Sequence, residues 1–162
     1  IFGPGSLYTS IIPNLLVDHM VEAIVQSKAF KIYVCNVMTQ SRETHSYRAS
    51  DHVRALVAHT NPGLLHVCVV NTEPVPHALL EEYRKEGAFP VEPDIERIRA
   101  LGYQVVAGNV ISTENHVRHD PDKVTKLIMQ LIGSARGKSA GGIATTSAPQ
   151  RDDAEAAHPV ST

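Results

Sequence analysis

The sequence predicts an α/β protein built on a parallel sheet, and two observations carry that expectation. Three short apolar runs, "KIYVCNVM" from Lys31, "LLHVCVVN" from Leu64 and "YQVVAG" from Tyr103, are rich in Val, Ile and Tyr and do not alternate with polar residues. Strands covered on both faces have this pattern, because neither face is left to water. The segments between the runs carry apolar residues at helical spacing. Strands that alternate with helices imply parallel pairing through right-handed crossovers.

Taken in order, Ile1-Phe2 reads as the end of a strand. "TSIIPNLLVDHMVEAIVQSKA" places Ile11, Ile12, Leu15, Leu16, Met20, Ile24 and Val25 for two short helices. Ser10 is the expected cap, and Pro13 fits the first turn, where its missing N–H has no partner to lose. Ser50 and Asp51 precede Val53, Leu56 and Val57, a cap with a dipole-matched first turn. "PHALLEEYRKEG" ends in Gly87, and "PDIERIRALG" opens with Pro93 and ends in Gly102. Early proline and late glycine bound a helix. In "DPDKVTKLIMQLIG", Asp120 caps, Pro121 takes the first position and Gly133 is expected past the end. The folded domain is therefore expected over residues 1–133. Beyond it the composition turns to Gly, Ala, Ser, Thr and Pro, and residues 134–162 are expected to form a disordered low-complexity tail.

The 162 residues suffice for one domain with a sizeable core. Fifteen basic against 17 acidic residues give a net charge of -2, which argues against a nucleic-acid footprint. No apolar run approaches the roughly 20 residues of a membrane span, and no signal peptide is visible. Cys35 and Cys68 each sit inside an apolar run, as buried free thiols in a reducing compartment do. A chain that opens on Ile in mid-element is expected to be truncated.

Between the first strand and the first helix lies a loop over residues 3–9. Its backbone at Gly3 and Gly5, the hydroxyls of Ser6, Tyr8, Thr9 and Ser10, and the N–H groups of a helix start are candidate contacts for an anion. The loop lacks the Lys of a phosphate-binding loop and the third glycine of a dinucleotide fingerprint, so a structural turn and a ligand loop stay open alike. Asn36, Asn71 and Asn109 stand at or just past the strand ends, where open α/β sheets bind ligands, and where asparagine also makes ordinary turns. With Thr39 in "MTQSRETHSY", they would line a polar crevice. None of the nine histidines pairs at a metal-ligand spacing: His52 and His59 are seven apart, and His116 and His119 flank Arg118. Arg118, between a strand and a helix cap, is placed either to fork onto a phosphate or to face solvent.

Five motifs in order, "GPGSLYTSIIPNLL", "YVCNVMTQ", "ETHSYRASDHV", "EYRKEGAFPV" and "RHDPDKV", resemble the carboxyl half of the gluconeogenesis-factor (YvcK-like) family. That family is a branch of the superfamily that includes 2-phospho-L-lactate transferase (CofD). The resemblance covers residues 1 to about 133. It implies a Rossmann-like sheet lacking the amino half that carries the glycine-rich nucleotide loop. It also implies a cytoplasmic, regulatory protein that binds UDP-sugars such as UDP-N-acetylglucosamine and supports gluconeogenic growth, cell-wall synthesis and cell shape. No cofactor beyond that ligand is implied, and a homodimer is open for the full-length protein. Its ligand-associated tyrosine and arginine fall on Tyr83 and Arg118. The alternative is a transferase that moves a phosphate-linked group from a nucleotide-activated donor. Two departures stand out. "TQSRET" replaces the family's "TQPGET", putting Ser41 and Arg42 where Pro-Gly is usual, and "GPGSL" differs from the "GPSNP" loop of the transferase branch.

Overall fold

A computed structural model describes residues 1–114 and 116–139. The expected tail lies outside the described residues from position 140 onward. The three apolar runs are the strands β1 (Ile32–Val34), β2 (Val67–Asn71) and β3 (Gln104–Gly108), parallel and in the order β1-β2-β3. Phe2 adds a parallel bridge to Tyr33 on the free side of β1. The architecture is α/β and Rossmann-like.

Side-chain alternation explains why the strands are apolar throughout. Tyr33, Cys35, Cys68 and Val70 pack on one face, and Ile32, Val34, Val67 and Val69 on the other. The first face is covered by a π-helical turn (Leu7–Ile11) running into α1 (Ile12–Leu15), by α2 (Met20–Gln26), α3 (Ala49–Ala58) and α5 (Ile95–Ala100). The second is covered by α4 (His77–Lys85), by α6 (Pro121–Ser139), and by a small antiparallel ribbon of β4 (Ile111–Ser112) and β5 (Arg118–His119). Gly87 and Gly102 adopt φ of +72° and +93° just past α4 and α5, the left-handed closure that glycine accommodates without strain.

Three local expectations are corrected. The first helical segment starts at Leu7, capped by Ser6 and not by Ser10: the Ser6 Oγ accepts from the Thr9 amide at 3.2 Å. Ser50 lies inside α3, whose cap is Arg48, and its amide and hydroxyl both donate to Asp94. Asp51 accepts from the Arg48 amide at 3.0 Å, so the acidic first turn is present. Gly133 does not end α6, which continues to Ser139. A glycine inside a helix costs only about 1 kcal/mol, and α6 passes through Gly137 as well.

Candidate functional site

The loop over residues 3–6 is locked to the end of β1 by Asn36. Its side chain donates to the Gly5 carbonyl at 2.8 Å and accepts from the Gly5 amide at 3.2 Å. Gly5 itself has no positive φ, and a Cβ there would meet nothing nearer than 3.8 Å, so the bend does not demand glycine. The Ser6 hydroxyl donates to Glu43 Oε2 at 2.6 Å and is also hydrogen-bonded by the Thr9 hydroxyl. The Tyr8 and Tyr47 hydroxyls share a 2.7 Å hydrogen bond. That bond first, and burial second, push the Tyr8 phenol up to about 12, so it stays neutral. Ser10 is exposed. The loop's first-turn amides at Leu7 and Tyr8 have no intrahelical partner to find.

The other strand-end residues are equally committed. Thr39 is buried, and it exchanges hydrogen bonds with Phe89 through its amide at 2.7 Å and its hydroxyl at 2.9 Å. Asn71 closes its own turn with Glu73 and accepts from the Val110 amide, while Asn109 accepts from the Ile111 amide and Lys123 Nζ. The three asparagines thus already carry hydrogen bonds within the chain.

Arg118 differs. Its backbone lies in β5 opposite Ser112, and its side chain is exposed with no ion-pair partner among the described residues. On one side the Tyr83 hydroxyl accepts from the Val117 amide at 3.0 Å and donates to the Val117 carbonyl at 3.3 Å. On the other side the His119 Nε2–H donates to the Cys35 carbonyl at 3.0 Å. Cys35 precedes Asn36, so Gly5 and Arg118 are held at the same strand end. The Tyr83 hydroxyl is thus committed to the backbone of the residue that precedes Arg118. Burial holds His119 below the ordinary histidine value, partly offset by its bond to Cys35.

Two residues escaped the candidate set. Glu43, in "SRETHSY", puts a carboxylate on the loop, and an acid next to a hydroxyl-rich turn was the available signal. His119 bonds a carbonyl 84 positions away, a relation no local pattern shows. A polar cavity of about 250 Å³ opens past β2 and β3, lined by Glu73, Asn109, Glu114, Asp120 and Lys123 among others. A wider groove of about 670 Å³ runs along α2 and the end of α3 and shares no lining residue with the loop or Arg118.

Residues 1–111 match the family model described as 2-phospho-L-lactate transferase CofD. The chain is 45% identical over 133 residues to the gluconeogenesis factor of Bacillus subtilis, covering 82% of this chain and 42% of the relative. It is 45% identical over 135 residues to a putative gluconeogenesis factor of Thermotoga maritima, covering 81% and 43%. A crystal structure of a UPF0052 family protein from Bacillus halodurans superposes with a TM-score of 0.77 at 43% identity, covering 79% of this chain and 41% of the other. The chain therefore spans about two-fifths of the length of these relatives. Among the described residues no helix is long and apolar enough to cross a membrane.

Proposed function

The chain belongs to the 2-phospho-L-lactate transferase CofD family, and from that premise we propose that it forms part of a regulatory, cytoplasmic nucleotide-sugar-binding protein. Its ligand is of the UDP-N-acetylglucosamine type. The carrying observation is the guanidinium of Arg118, exposed and without an ion-pair partner among the described residues, next to His119, whose ring bonds the strand end that also holds the glycine loop. A guanidinium fork matches phosphate oxygens in geometry and charge. Glu43 refines the arrangement. A carboxylate repels phosphate and accepts from hydroxyls, so the loop end near Ser6 faces ribose or sugar hydroxyls and the diphosphate lies toward Arg118. The remaining contacts come from the part of the relatives' length that this chain does not span. The relatives' name supports a role in gluconeogenic growth, and cell-wall synthesis and cell shape belong to the same reading.

Isothermal titration of the whole protein with UDP-N-acetylglucosamine tests this. Saturable binding with one ligand per chain is expected; no heat at millimolar ligand, in protein shown to be folded, overturns it. The description of the matching family model favours a second reading, transfer of a phosphate-linked group from a nucleotide-activated donor. Turnover of a nucleotide-activated phospholactate by the whole protein would establish that reading in its place.

A further inference from the structure

We infer that His119 is a positioning residue for Arg118, acting by tying β5 to the end of β1. The inference rests on the reading above, in which Arg118 meets a phosphate of the ligand. The ribbon that carries Arg118 has two residues in each strand, too few for its own pairing to hold it rigidly. Its other polar ties run to α4 through Tyr83, to α6 through Lys123 Nζ on the Ile111 carbonyl at 2.7 Å, to the end of β2 through the Val110 amide on Asn71 at 3.3 Å, and within the ribbon through the Asp120 amide on Val110. Among the described residues, the His119 bond is the polar tie that reaches β1.

That tie has a directional consequence. Successive side chains along a strand point to opposite faces, so an inward His119 sends Arg118 outward. A carbonyl only accepts, which places the ring proton on Nε2 and leaves no need for a charged imidazole. The receiving carbonyl belongs to Cys35, whose own amide donates to Val69 in the sheet at 2.9 Å and whose successor, Asn36, holds Gly5. One strand end thus anchors both the loop, through the Asn36 side chain, and the ribbon that carries the cation, through the His119 ring.

Three replacements in the whole protein separate positioning from mere packing. Glutamine can carry its amide nitrogen to the place of Nε2, asparagine falls short of it, and leucine removes the donor. The readouts are titration with UDP-N-acetylglucosamine and, without ligand, amide hydrogen exchange over residues 110–120. His119→Leu and His119→Asn are expected to weaken binding about tenfold and to speed exchange at Val117 to His119, while His119→Gln restores both. Arg118→Ala is expected to weaken binding and leave exchange unchanged. If His119→Leu does not fold, the Gln and Asn pair decides the matter alone. Exchange in the Asn variant equal to that of the unaltered protein overturns the inference, as does a Gln variant no better than Asn. If the unaltered protein does not bind the probe, the ligand reading fails, and the exchange comparison still decides whether His119 holds the ribbon.

Discussion

Two turns face the same end of the sheet and differ in what they leave free. The loop after Phe2 looks like the richer site, with two glycines and four hydroxyl side chains, yet Ser6, Thr9 and Tyr8 already bond within the chain and Asn36 closes the bend. The β4–β5 ribbon offers little in sequence beyond "VRHD", yet it presents a cation whose backbone is held on both sides and whose side chain is unspent. Chemical capacity at a site is set by what the fold leaves unsatisfied, not by how many polar residues gather there.

Four measurements would break or sharpen that contrast. The largest effect is expected from Arg118→Ala, which should weaken UDP-N-acetylglucosamine binding by about 1.5–3 kcal/mol, the range for a hydrogen bond to a charged group, with an unchanged melting temperature. Equal affinity in the variant would return Arg118 to solvent. Asn36→Ala should instead act on stability, by about 1–2 kcal/mol, because it strips both bonds from Gly5 and frees the loop. Urea unfolding reads this out, and a midpoint matching the parent would show the loop to be self-supporting.

Acidification comes next. Burial lowers His52, His66 and His119 below the ordinary value of about 6.5. His52 stacks edge-on against Tyr47 behind the loop, bonded to the Arg48 carbonyl near Asp51, while His119 faces Cys35. As pH falls below 6.5 the unfolded chain takes up protons that the folded chain does not, so stability declines toward the lowered native values and is flat above. A melting temperature constant from pH 7.5 to 5.5 would contradict this. The smallest effect belongs to Arg42, which has φ of +71°, a region costly for a residue with a Cβ. Arg42→Gly should stabilise by about 0.5 kcal/mol, the relief of strain being offset in part by glycine's greater freedom when unfolded. Thermal melts showing destabilisation would mean that the arginine side chain contributes contacts of its own.

How much of this was legible follows from the range of each interaction. The apolar runs, the helix spacings and the closing glycines at 87 and 102 act over a few residues, and the chain folds as they suggest. The family resemblance placed Gly in the turn that Arg42 now strains, a departure the backbone registers. Ser6 takes the cap because the wide first turn begins at Leu7 and already contains Ser10. Gly133 does not stop α6 because one glycine at an exposed helix position costs only about 1 kcal/mol, too little to end a helix by itself. The ties that shape the site, Tyr83 to Val117 across 34 positions and His119 to Cys35 across 84, come from tertiary packing, and no window of sequence holds both partners.

The two cysteines carry a practical consequence. Both are free and buried, at 2% and 0% exposure, and the Cys68 thiol is pushed up first by a hydrogen bond with the Cys35 thiol and then by burial. A thiol enclosed in a packed core is shielded from maleimides. The chain has no other cysteine, so Gly3→Cys, where an added Cβ meets nothing within 4 Å, gives a single labelling point beside the loop. A fluorophore attached there would report arrivals at that end of the sheet without a background to subtract.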